Sequence, residues 1–143
     1  MTEHSLWRFS GAFRDALGGR QTEPLESLLD DDVEWAIYGP IDMFTFFGAR
    51  RGKHAVVDVI RQMASSITLS NVDRESMMLD QDMAASLVRC SITTAKSGKP
   101  ISVRVAYFAK FKAEKLISLR AVVDTFDLVE QTLGRHIYLP QIA

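Results

Sequence analysis

The chain has 143 residues, 47% of them apolar and 24% charged, with a formal net charge of −1. Such a chain fits one globular domain and can bury a core without disulfide or metal staples. The near-zero charge argues against nucleic acid or an anionic membrane surface as partner, and the single cysteine, Cys90, excludes an intrachain disulfide, as expected of a cytoplasmic protein.

In chain order, residues 5–18 (SLWRFSGAFRDALG) set Leu6, Phe9, Phe13 and Leu17 on one helical stripe, with Ser5 as the expected cap and Gly18–Gly19 as the stop. The opening MTEHSLWRFSG lacks the basic segment and apolar core of a signal peptide, and no apolar run anywhere approaches the roughly 18 residues of a membrane helix. TEPLESLLDDD predicts a short second helix with Pro24 in its first turn and Leu25, Leu28 and Leu29 inward; Asp30, Asp31 and Asp32 form its solvated end. DVEWAIYG predicts a strand ended by Gly39–Pro40. PIDMFTFFGARRGK reads as an aromatic-rich loop, either a lid of Met43, Phe44, Phe46 and Phe47 over an apolar ligand or a surface buried against a partner subunit. Arg50, Arg51 and Lys53 read as a solvated basic cluster there, because no glycine-rich cradle accompanies them. Residues 53–65 predict a third helix with Ala55, Val56, Val59, Ile60 and Met63 on one face.

The pattern then changes to period two. Residues 71–79, 83–94, 100–112 and 115–126 predict four strands in a meander, and no segment repeats. Helices and one strand followed by a run of strands imply an α+β fold, with an antiparallel sheet curled around the helices and a pocket at its open end.

The stretch LLDDDVEWAIYGP…FFGARRGKHAVVDVI, with the ending KLISLRAVVDTFDLVEQTLG, resembles the nuclear transport factor two-like superfamily, and more narrowly its SnoaL-like branch. The likeness covers residues 6 to 134, with a tail at 135–143, within one domain spanning 1–143. It implies a cone-shaped α+β fold with an interior pocket, and a homodimer packed through the outer sheet face. The superfamily includes ketosteroid isomerase, limonene epoxide hydrolase, polyketide cyclases and members that only bind, so fold alone licenses no reaction.

Strand alternation sorts the candidate site residues. In the last strand Ile117, Leu119, Ala121 and Val123 form an apolar, inward set, and Ser118, Arg120, Val122 and Asp124 an outward one. Val103, Val105, Tyr107, Ala109 and Phe111 face inward from the strand before it, and Val88, Cys90 and Ile92 from the strand before that. Epoxide hydrolases of the superfamily use two aspartates bridged by an arginine. Gapless matching puts Ala121, Val88 and Cys90 at those places; a shifted register would instead bring forward Asp124, Arg89 and Ser91. The base of ketosteroid isomerase would fall near Trp35–Ile37, where no carboxylate stands. His4, His54 and His136 lack metal-ligand spacing, so neither metal nor cofactor is expected.

Two functions stay open. One is a pocket for a small, mostly apolar or polyketide-like ligand, lined by Trp35, Val88, Cys90, Val103, Val105, Tyr107 and Ala121. The other is acid–base catalysis of the cyclase, isomerase, dehydratase or epoxide hydrolase kind, with Asp124 as acid, Arg89 as its charge partner and Tyr107 as a donor.

Overall fold

Apolar spacing at the helical period builds α1 (Ser5–Leu17), which buries Leu6, Phe9, Ala16 and Leu17. The computed structural model describes residues 3–19 and 21–142; Ala143, the end of the expected tail, lies outside them. His4 rather than Ser5 caps α1: its Nδ1 accepts the Leu6 amide at 3.0 Å, and its Nε2 meets the Asp80 carbonyl at 2.6 Å. Next, α2 (Glu23–Ser27) begins on Thr22 with proline in its first turn and buries Leu25 completely.

The first strand, β1 (Leu29–Tyr38), starts earlier than its sequence pattern suggests. The aspartate run 30–32 therefore lies within a strand, not at a helix end. Its pairing with the last strand jumps between Leu29 and Glu34, so the run occupies an irregular stretch where charged side chains reach water. The basic segment is not a loop either. Gly48–Arg51 forms an edge strand, β2, paired antiparallel with β1. Gly52, at φ 92°, then turns the chain into α3 (Lys53–Ser66), a backbone shape that favours glycine. Helix α3 buries Val56, Val57, Val59, Ile60 and Met63.

The remaining strands are β3 (Ile67–Leu79), β4 (Met83–Thr94), β5 (Pro100–Lys112) and β6 (Lys115–Val123). Together the strands form one sheet in the order β2-β1-β6-β5-β4-β3. The β1–β6 contact is parallel and the others antiparallel, and the curved, unclosed sheet wraps the helices in the cone shape of an α+β fold.

Two departures from simple alternation matter. In β6, Ser118 pairs with Lys110 but Leu116 pairs with Phe111, which leaves Ile117 as the extra residue of a bulge. Leu116 is consequently the buried residue and Ile117 is half-buried. In β3, Leu69 pairs with Ile92 and Asn71 with Ser91, which leaves Ser70 extra, its hydroxyl donating to the Ser91 carbonyl at 3.0 Å. That bulge turns Val72 and Arg74 inward.

The expected fourth meander strand stops at Val123, three residues early, and a fourth helix, α4 (Thr125–Leu133), follows. Asp124 is its N-cap, with Oδ1 accepting the Asp127 amide at 3.4 Å. Helix α4 covers the start of β5, residues 100–104, which extends beyond the end of β6. Gln131 donates to the Ser102 carbonyl at 2.7 Å and accepts its amide at 2.9 Å, as a neighbouring strand would. Among the described residues no helix is long and apolar enough to cross a membrane.

Candidate functional site

A cavity of about 210 Å³ lies between the concave face of the sheet and the helices. Helix α1 roofs it with Leu6, Phe9, Phe13 and Leu17, and α3 and α4 add Met63 and Leu128. The sheet floor carries Trp35 and Ile37 from β1, Val88, Cys90 and Ile92 from β4, Val103, Val105 and Tyr107 from β5, and Leu119, Ala121 and Val123 from β6. These positions share a face because each strand alternates and the register aligns them: Ser86, Tyr107 and Ala121 form one rung, and Arg74, Val88, Val105 and Val123 another.

The aromatic loop forms one wall. Phe44, Phe46 and Phe47 pack on one another at centroid distances of 4.9 to 5.7 Å, with Phe46 and Phe47 buried. Arg50 anchors the loop by donating to the Thr45 and Ala49 carbonyls, each at 3.0 Å, and Gln62 of α3 bonds the Thr45 hydroxyl. The basic cluster thus supplies a structural clamp. Gly39 permits the close approach: a Cβ there would sit 3.0 Å from both Phe47 and Val123 side chains.

The polar groups of the cavity converge at one place. Arg74 of β3 donates through Nη1 to the Ser86 hydroxyl at 2.7 Å and to the Tyr107 hydroxyl at 2.8 Å. The Ser86 hydroxyl itself donates to the Ser76 carbonyl at 2.8 Å. Because Tyr107 accepts from Arg74, its O–H remains free to donate. The Arg74 guanidinium also lies over the Trp7 ring, 5.3 Å from its centroid. Ser10 and Arg14 of α1 line the cavity as well, and Arg14 is exposed. Cys90 is half-buried at the floor; burial pushes its thiol up from the ordinary value, and the charge of Arg14 partly opposes that. The Trp35 indole N–H is buried with no hydrogen-bond partner among the described residues. Among the described lining residues there is no aspartate, glutamate or histidine.

A family model, the SnoaL-like domain, matches residues 11–119. The chain belongs to the SnoaL-like family. Among solved structures this SnoaL-like protein is similar to an isomerase candidate from Rhodopseudomonas palustris, with 60% identity over 94% of this chain and 100% of that one and a TM-score of 0.91. It also shares the fold of an NTF2-like protein from Burkholderia xenovorans LB400 (17% identity, 92% of this chain and 98% of that one, TM-score 0.75). An LEH-like epoxide hydrolase of M. tuberculosis has it too (16% identity, 91% and 90% covered, TM-score 0.69). No curated protein matches.

Within this SnoaL-like fold all seven sequence-predicted lining residues (Trp35, Val88, Cys90, Val103, Val105, Tyr107 and Ala121) border the cavity. The alternative constellation of Asp124, Arg89 and Tyr107 is not brought together. Asp124 is an exposed helix cap, and Arg89 lies on the outer face, 3.7 Å from Glu75 and 3.2 Å from the Ser102 hydroxyl. Arg74, like Ser10 and Arg14, is a polar lining residue that sequence reading left unassigned. Val72, the one apolar residue in NVDRES, carries the signal: turning it inward turns Arg74 inward two positions later.

Proposed function

We propose that the protein binds a small, mostly apolar molecule in this cavity, as a homodimer in a cytoplasmic setting. The observation that carries this reading is a cavity walled by aliphatic and aromatic side chains whose polar groups meet at Tyr107 and Arg74. Binding sites of this kind fix a ligand by apolar contact and orient it by a few convergent donors. The volume suits a molecule on the order of ten heavy atoms. The outer face supports the dimer. Tyr38, Phe108 and Val122 stand half or more exposed on adjacent strands, with Tyr38 and Val122 in register.

The test is a titration of neutral compounds such as phenylacetamide and cyclohexanecarboxamide, followed by calorimetry. Saturable binding is expected in the parent protein, weakened when Ala121→Leu fills the floor. Absence of saturable binding, or binding indifferent to the filled cavity, would overturn the reading. A light-scattering mass equal to one chain would overturn the dimer.

A second reading has the 60% identical isomerase candidate in its favour. Tyr107 and Arg74 would then polarise a carbonyl, as donors aimed at developing negative charge do. Proton abstraction also needs a base, and no described carboxylate or histidine lines the cavity. Cys90, whose thiol is raised by burial, is a poor substitute. Binding is therefore the better-supported function. Catalysed exchange of solvent deuterium into a bound cyclic ketone would reverse that order.

A further inference from the structure

The cavity contains charge of one sign only. Arg14 and Arg74 line it, and no described aspartate or glutamate does. Neither arginine makes an ion pair within the described residues, whereas the outer-face Arg89 and Arg104 share Glu75. The partners of Arg74 are two neutral hydroxyls and an indole ring, so its charge is solvated but not neutralised. A guanidinium has five N–H donors. Nη1 uses its two on Ser86 and Tyr107; Nε and Nη2 hydrogen-bond to nothing among the described residues. Those two nitrogens form one edge of the guanidinium fork, the edge that takes a carboxylate through two parallel hydrogen bonds. Tyr107 adds an unused O–H beside it.

We infer that the ligand is an apolar carboxylic acid, bound as its anion, with its carboxylate on the free edge of Arg74 and its hydrocarbon body among the aromatic and aliphatic walls. This rests on the cavity being the binding site and names the class of molecule it takes. Ser86 and Tyr107 fix the guanidinium plane, Trp7 supports its face, and Arg14, exposed on the facing helix, adds positive potential toward the anion. Arg74 is the specificity-determining residue in this arrangement. A second guanidinium without a carboxylate makes a neutral or cationic headgroup the poorer fit.

The experiment compares cyclohexanecarboxylate and phenylacetate with their primary amides by isothermal titration near neutral pH at low salt. The acids are expected to bind about tenfold or more tightly than the amides, the range of a hydrogen bond to a charged group. Arg74→Gln should bring the acids to the level of the amides, which lose far less. Arg74→Lys should retain part of the preference, since it keeps the charge and loses the fork. Arg89→Gln, on the outer face, should leave the preference intact. Thermal melts of each variant show whether it is folded, and the acid-to-amide ratio is a readout that a purely structural role for Arg74 would not move. If amides bind as well as acids to the parent protein, the charge assignment is wrong and the cavity reading stands. If neither set binds, both fall.

Discussion

Arg74 and Arg89 stand one rung apart on paired strands, Arg74 opposite Val88 and Arg89 opposite Asp73, yet they lead different lives. Arg89 faces outward among polar neighbours and shares the Glu75 carboxylate with Arg104. Exposed pairs of this kind contribute about 0–1 kcal/mol. Arg74 faces an apolar cavity and is held by uncharged groups, so its charge is available to a ligand. The side chains are identical, and the sequence around Arg74 (VDRES) is more polar than that around Arg89 (LVRCS). What separates them is strand parity, and in β3 that parity is set by the extra residue Ser70.

The strongest way to break the contrast is Arg74→Leu. It removes the cavity charge and leaves the Ser86 and Tyr107 hydroxyls without that donor. Loss of these charge-assisted bonds should lower stability by about 1.5–3 kcal/mol in urea unfolding and abolish any preference for acids, whereas Arg89→Leu should cost about 1 kcal/mol or less. An Arg74 variant that keeps the preference would show that the two arginines are not distinguished by face.

A smaller effect distinguishes the two aspartate roles considered for Asp124. As a cap, Asp124→Ala should cost about 1 kcal/mol of stability while ligand affinity is unchanged. A loss of binding without a loss of stability would place the carboxylate at the site instead.

The smallest effect tests the inner face by pH. Burial holds the Cys90 thiol above its ordinary value in the folded chain, so the folded state keeps the proton longer than the unfolded one. Below the ordinary thiol range both states are protonated and stability is complete. As pH rises through that range toward the folded value, only the unfolded chain releases its proton, and stability falls. Urea midpoints should therefore decline on the alkaline side, and Cys90→Ala should decline less. Equal slopes would mean that the thiol is as well solvated as in the unfolded chain.

The fold was largely legible because its elements carry strong periodicity. The 83–94 and 100–112 strands and the helix after Gly52 have apolar residues at the spacing their structures need, and the observed bounds match or nearly match. The same alternation placed Val88, Cys90, Val103, Val105, Tyr107 and Ala121 on one face. Less visible were elements defined by partners. β2 is four residues of GARR, without an apolar pattern, and it is a strand because β1 offers it an edge. Helix α4 follows Val123 without a glycine or proline break, and its start is marked by the short-range bond of Asp124 to the Asp127 amide.

From sequence alone came the pairing of periods, hence the α+β architecture, and the apolar character of the concave face. Those are local properties, since each residue's side of a regular strand or helix follows from counting. Only the tertiary structure decided where counting restarts: at Ser70, at Glu75 and at Ile117, where one strand carries a residue that its neighbour does not match. A bulge is a mismatch between two strands, so it leaves little trace in either one read singly. That mismatch is why Arg74 entered the cavity unannounced.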